Sequence, residues 1–235
     1  MIGRSQSDSN WISIADMMTA LMIIFMFIAV NYIVQIVEYK FIEEDIYNSL
    51  QAEFEKEIEN ENIELGPDGT IRFKTGSSNL FENNQYRLTS EFENVLQDFI
   101  PRYWGIINSD KYLDYIKEIR IEGHSDTQPP NNGEDSYLYN LKLSSRRANA
   151  VLAFLREQPS YKDVSSEEKE RMDFLFTSIG FSYARALNDE KAYVYLDSNK
   201  IVNNQFSRRV EFRIVTSNEK LVEGIYQYQE IDENE

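Results

Sequence analysis

The chain has 235 residues, a formal net charge of −16 and no cysteine. Disulfides, thiolate metal sites and thiol nucleophiles are thereby excluded, and an acidic chain without a basic stripe argues against a nucleic-acid partner. With the apolar N-terminal segment and its helical extension to residue 62 set aside, about 170 residues remain, enough for a single domain with its own core.

After a short N-terminal stretch, residues 1–10, the run Trp11 to Val37 carries Asp16 as its sole formal charge, and Met17 to Val37 are 21 consecutive uncharged residues. At about 1.5 Å rise per residue such a run crosses a hydrocarbon core of roughly 30 Å, so residues 11–37 are predicted to form one transmembrane helix. A cleaved signal peptide fits less well, because the flank before the run holds only Arg4, the apolar part is long and no small-residue cleavage site follows Val37. An ionised carboxylate at membrane depth costs on the order of 3 kcal/mol and persists where it is partnered or useful. Two readings of Asp16 stand side by side. If the helix starts at Ser13, Ser13-x-x-Asp16 is a capping box at the membrane surface. If Trp11 is the interface anchor, Asp16 lies about 7 Å further in, with the Thr19 hydroxyl at i+3, placed to relay a proton or small cation. Basic residues flank the run almost evenly, with Arg4 and the amino terminus before it and Lys40 after it, so charge bias does not orient it.

Residues 38–62 place Ile42, Ile46, Leu50, Phe54 and Ile58 four apart among acids and amides, a helical stripe continuing outward. It reads as a solvated linker helix, as a seam pairing two copies, or as a gate lying on the membrane. Leu65-Gly66-Pro67-Asp68-Gly69-Thr70 is turn chemistry between two short strands, which opens a domain spanning 63–217. Thr89 caps a helix with Phe92, Val95, Leu96, Phe99 and Ile100 on one face, ended by Pro101, and Tyr103 to Tyr115 form more helix or a packed connection. Ile119 to Gly123 alternate as a strand with His124-Ser125-Asp126-Thr127 at its end, followed by a loop rich in proline, asparagine and glycine. A helix over Leu143–Glu157, capped by Ser144, buries Ala148, Val151, Leu152 and Leu155. Ser165 caps a short charged helix, Phe174 to Gly180 and Arg209 to Val215 are strands, and 218–235 is an acidic tail that frays. The fold class is therefore a single N-terminal transmembrane helix plus an α/β domain, helices packed on a mixed β-sheet.

Catalysis finds little support. The lone His124 reads as a satisfied structural residue, no nucleophile elbow or phosphate-cradling glycine loop occurs, and acidic runs such as Glu43-Glu44-Asp45 read as solvated surface. The expectation is a protein that is not an enzyme and holds no metal.

Two ordered sets of residues carry a family resemblance. Ala15-Asp16-Met17-Met18-Thr19-Ala20-Leu21-Met22 resembles the Ala-Asp-x-Met-Thr-Ala-x-Met signature of the MotB family, the B subunits of ion-driven stators. Ile121-Glu122-Gly123-His124-Ser125-Asp126, then Asn140-x-x-Leu143-Ser144-x-x-Arg147-Ala148, then Ser207-Arg208-Arg209-Val210-Glu211 resemble the OmpA C-terminal domain, which binds peptidoglycan by holding diaminopimelate. The resemblance implies that Asp16 binds the translocated proton or sodium ion, that two copies of the chain sit inside five polytopic MotA/ZorA-like subunits, and that no other cofactor is needed. It assigns the ligand's ammonium to Asp126 and its carboxylate to Arg147, with Asn140 lining the pocket and Arg209 a weaker candidate. This pairing suits a zwitterion, because a carboxylate accepts from an ammonium and the guanidinium fork binds a carboxylate bidentately. Two departures bear on the pocket rim: the loop between Asp126 and Asn140 is longer than usual, and Ser207 stands where Asn commonly precedes the arginine pair. The implied location is the bacterial inner membrane, with the N-terminus cytoplasmic and the domain periplasmic. The short N-terminal stretch and linker are more similar to the ZorB branch, from Zorya anti-phage defence, than to flagellar MotB. A passive wall anchor is the reading of another class.

Overall fold

Alternation along the strands decides the architecture. In the computed structural model, which describes residues 6–74, 80–82, 85–130 and 133–216, five strands form one sheet: β1 (Ile63–Leu65), β2 (Ile71–Lys74), β3 (Ile116–His124), β4 (Phe176–Gly180) and β5 (Arg209–Thr216). Their order is β1-β2-β5-β3-β4, with β3 and β4 parallel and the other pairs antiparallel. The register sets Phe73 opposite Val210, Ile71 and Ile121 opposite Phe212, and Ile119 opposite Ile214. One face is therefore apolar, and these residues are buried. The other face carries Arg72, Glu122, His124, Arg209, Glu211 and Arg213. The predicted hairpin forms, turning at Gly69 with φ 72°.

Helix α3 (Ser90–Ile107) lies on the apolar face: Phe99 sits 4.9 Å from Phe73 and 5.1 Å from Phe212, ring centre to ring centre, and Tyr103 5.6 Å from Phe212. Thr89 caps it as predicted, accepting from the Phe92 N–H. The helix does not end at Pro101. An internal proline costs about 3 kcal/mol, but the buried stripe continues through Tyr103, Trp104 and Ile107, and each such side chain returns about 2 kcal/mol on burial.

Helix α4 (Ser136–Glu157) starts two turns before the predicted Leu143. Asp135 caps it by accepting from the Leu138 N–H at 2.8 Å, and Ser144 is interior. Its buried residues Asn140, Ser144, Arg147, Ala148, Val151 and Leu155 recur at helical spacing, whereas Leu152 is half-buried. The short helices α5 (Pro159–Lys162) and α6 (Ser166–Leu175) follow, the latter capped by Ser165. Phe174 belongs to α6 and is exposed, so β4 starts at Phe176. A last single turn, α7 (Asn204–Ser207), leads into β5.

Helix α1 runs from Gln6 to Glu53 and is followed by α2 (Glu55–Glu59). Residues Glu43–Ser217 form one compact unit, which starts about twenty residues before the position expected from sequence. The reason is the stripe read there as a linker face: Ile46, Leu50 and Phe54 are buried within the unit. Leu50 and Ile46 close over Gly69 beside Ile214, and Phe54 packs 5.0 Å from Phe99. Polar contacts flank the seam: Asp45 pairs with Lys111 and Tyr112, and Arg102 donates to Glu53 at 2.7 Å and Glu57 at 2.6 Å. The stripe is not solvated. Among the described residues, α1 is the one helix long and apolar enough to cross a membrane. The first residues of the N-terminal stretch and the acidic tail 218–235 lie outside the described residues.

Candidate ligand-binding site

The site begins with two glycines. Gly123 and Gly180 are partners across the parallel β3–β4 pair, and α4 presses on both. A Cβ on Gly123 would lie 2.2 Å from the Ser144 carbonyl oxygen, and one on Gly180 2.4 Å from the Ser145 nitrogen. Neither contact is possible for any other residue without moving the helix. Ser182 then joins three elements. Its N–H donates to Ser144 Oγ at 3.0 Å, its Oγ to the Tyr137 carbonyl at 2.9 Å, and its carbonyl accepts from the Ser125 N–H at 3.0 Å. It adopts φ 53°, a left-handed conformation held by these bonds. The end of β3 and one face of α4 are thus fixed together, and Asp126, Asn140 and Arg147 fall on the two parts being joined.

Asp126 is buried at 5 % exposure, and its carboxylate accepts from the Gln128 N–H at 3.1 Å and from Arg208 Nη1 at 3.2 Å. Arg147 is 8 % exposed; its Nε donates to the Gln85 carbonyl at 3.0 Å, and its guanidinium lies 5.0 Å from the Phe81 ring centre. Among the described residues no carboxylate forms an ion pair with Arg147. Burial pulls its pKa down to about 10, opposed by the charge of Asp126 and helped by that of Arg208. A buried guanidinium fork with one bonded N–H, beside a buried carboxylate, has capacity left for an anion. Asn140 serves the backbone: its Nδ2 donates to the carbonyls of Gln128 and Ser136 at 2.9 and 3.0 Å, tying the loop after Asp126 to α4.

Arg209 is not brought to this place. Its guanidinium points to the other side, donating to Glu211 at 2.6 Å and to the Ser207 and Arg185 carbonyls. Its neighbour Arg208 meets Asp126 instead. Residues 208 and 209 stand on opposite sides of the start of β5, and the register assigns the odd-numbered side to the polar face.

That polar face is an ion-pair network. Glu122 and Glu211, directly opposed across β3 and β5 and fully buried, are held by guanidinium groups: Arg213 and Arg185 on Glu122, and Arg209, Arg72 and Arg213 on Glu211. Burial alone would raise the Glu211 pKa, but Arg209 and Arg72 hold it down to about 2. His124 completes the group, with Nε2 3.6 Å from Glu122 and 3.9 Å from Glu211, too far for hydrogen bonds. The ring stacks on Phe181 at 5.4 Å, and neither nitrogen has a hydrogen-bond partner. It is structural but not satisfied, contrary to the sequence expectation. Glu122, His124 and Glu211 are spaced as metal ligands could be, but a divalent cation would have to displace arginines from both carboxylates. The donor set suits ion pairing.

On α1, Asp16 lies ten residues inside the first helical residue, Gln6. Ser13 is therefore interior and cannot cap, which removes the capping-box reading. The Thr19 hydroxyl donates to the Ala15 carbonyl at 2.8 Å, so it offers Asp16 or an ion an acceptor oxygen rather than a proton.

No protein-family model matches the chain. Against proteins of known identity, it is 30 % identical over 238 residues to the Zorya protein ZorB of Escherichia coli Crooks, covering 95 % of each chain. The chain belongs to the ZorB family. A second ZorB, from Escherichia coli O139:H28, is 31 % identical over 215 residues, 87 % of this chain and 79 % of that one. Among solved structures, a MotB-like protein from Desulfovibrio vulgaris superposes with a TM-score of 0.52 at 18 % identity, covering 78 % of this chain and 99 % of that one, which establishes the shared fold. Sequence reading of this ZorB-family chain missed Arg208 and the ionic partners Arg72, Arg185 and Arg213. The Arg-x-Glu-x-Arg alternation of 209–213 was the available signal. Its burial was not visible, because the irregular segment 181–203 that supplies Arg185 and Phe181 has no periodicity.

Proposed function

We propose that this ZorB-family chain is the B subunit of an ion-driven stator, tethered to peptidoglycan and working in Zorya anti-phage defence. The observation that carries the wall tether is the buried pair Asp126 and Arg147 at the end of β3 and on α4. The ammonium of a diaminopimelate stem residue takes the place of Arg208 on Asp126, while its carboxylate occupies the free edge of the Arg147 fork. Asn140 holds the loop that shapes this pocket. Arg209, turned to the polar face, positions β5 rather than touching ligand.

In the membrane segment, Asp16 is the ion-binding group and the Thr19 oxygen a secondary ligand for a proton-carrying water or a sodium ion. The chain spans the inner membrane once, N-terminus in the cytoplasm and the domain in the periplasm, as two copies within a ring of five MotA/ZorA-like subunits. Each ion crossing is driven by about 2.3 kcal/mol per 100 mV. Nothing in this scheme asks the chain to act as an enzyme. The family match over 95 % of the chain, taking in both the apolar helix and the domain, supports reading the two halves as one device.

Retention on isolated peptidoglycan tests the tether: Asp126→Ala and Arg147→Ala should each weaken it tenfold or more, equivalent to about 1.4 kcal/mol, and unchanged retention refutes the assignment. Asp16→Asn separates motor from passive anchor. Wall retention stays at the wild-type level in either case, but protection against phage is lost if Asp16 carries ions and kept if the helix merely holds the domain.

A further inference from the structure

A groove of about 700 Å³ runs between the segment Tyr86–Leu88 and the outer half of α4, separate from the Asp126 carboxylate. Its chemistry differs from that of the pocket beside it. Tyr86 is half exposed on the rim, with the Arg146 guanidinium 5.6 Å from its ring centre, and Ala150 and Ala153 line the helix side. Four charged residues face it, Arg87 and Arg146 against Glu93 and Glu157, so their formal charges cancel. A groove with no net formal charge favours neither a polyanion nor a polycation, and its charged side chains offer donors and acceptors to a neutral, hydroxyl-rich chain.

The groove is also joined to the pocket. Gln85, whose carbonyl holds Arg147, precedes Tyr86, and Arg146 precedes Arg147. Ala153 lies six residues beyond Arg147 along α4, about 9 Å by helical rise. That is the reach of roughly three extended residues, at about 3.3 Å each, so a short stem peptide held at Asp126 and Arg147 is long enough to bring its polymer backbone to the groove.

We propose that this groove binds the sugar backbone of the wall polymer, an N-acetylated glycan strand, with Tyr86 as its stacking platform. The inference rests on the diaminopimelate reading of the Asp126 pocket and adds a second subsite to it. A pyranose presents a face of weakly positive C–H groups to the negative face of the Tyr86 ring, while the flanking arginines and glutamates meet hydroxyl and acetamido groups.

The test uses the full chain in detergent with two probes, glycan strands stripped of their peptides and free meso-diaminopimelate. Tyr86→Ala should lower affinity for stripped strands at least tenfold and leave diaminopimelate affinity within twofold, and Tyr86→Phe should keep both. Asp126→Asn should do the reverse of Tyr86→Ala. If the wild-type chain fails to bind stripped strands, or Tyr86→Ala binds them within twofold of wild type, the glycan subsite is overturned. A wild-type chain that binds strands but not diaminopimelate supports the groove and refutes the pocket reading instead. Because Tyr86 is half exposed, its replacement leaves the core intact; a loss of both affinities in Tyr86→Ala counts against the proposal.

Discussion

His124 sits where its own chemistry is least welcome. Burial pushes its pKa down to about 4, helped by Arg209 and opposed by Glu122 and Glu211, so the folded chain keeps the ring neutral. Unfolded, the ring titrates near its ordinary 6.5. Between those values the unfolded state holds the extra proton, and stability falls as pH drops from about 6.5 to about 4. Glu211 acts in a lower window: held at about 2, against 4.5 for a free glutamate, it contributes stability above 4.5 that is lost as pH falls toward 2. His124→Phe separates the two. Since neither ring nitrogen has a partner, the substitution should leave stability at pH 7 within about 1 kcal/mol while flattening the slope between pH 6.5 and 4, as read by urea unfolding across that range. A slope unchanged in the variant would place the proton elsewhere.

Among the elements, what was legible in sequence was what is locally determined. The Gly66–Gly69 turn, the Thr89 and Ser165 caps and the alternation of β5 each contain their own signal within a few residues, and each is found in place. Motif resemblance singled out Asp126, Arg147 and Asn140, and the structure brings them to one end of the sheet, Asn140 bonded to the Gln128 carbonyl and Arg208 to Asp126. What could not be read was decided at a distance. Pro101 is overruled by the burial of Tyr103, Trp104 and Ile107, and the choice between Arg208 and Arg209 depends on strand register. The seam of Ile46, Leu50 and Phe54 looks in sequence like any amphipathic helix, and nothing local says what covers it. Leu50, with 0 % exposure, provides the check: Leu50→Ala should destabilise the domain by about 3 kcal/mol, the range for buried leucine truncation, measured by chemical denaturation. A surface linker would lose less than 0.5 kcal/mol.

For the whole chain, the boundary of the compact unit at Glu43 makes a prediction about pieces. A fragment spanning 43–217 contains the complete core and should unfold cooperatively. One that begins at 63 exposes the apolar surface beneath Ile46, Leu50 and Phe54 and loses the Arg102 and Tyr112 contacts. It should melt at least 10 °C lower or aggregate, since a domain of this size shifts by roughly 2–4 °C per kcal/mol. Equal melting temperatures would mean that the last turns of α1 are dispensable. The paired glycines have a consequence for anyone mapping this protein by random mutation. Any single-base change that alters the residue at 123 or 180 introduces a side chain where the backbone of a helix already stands, so under the proposed wall tether and defence role phage sensitivity will score both positions as harshly as Asp126. A genetic map would then draw a binding surface that includes two residues with nothing to bind with, and a parallel measure of folded yield is what tells the floor of the site from its hands.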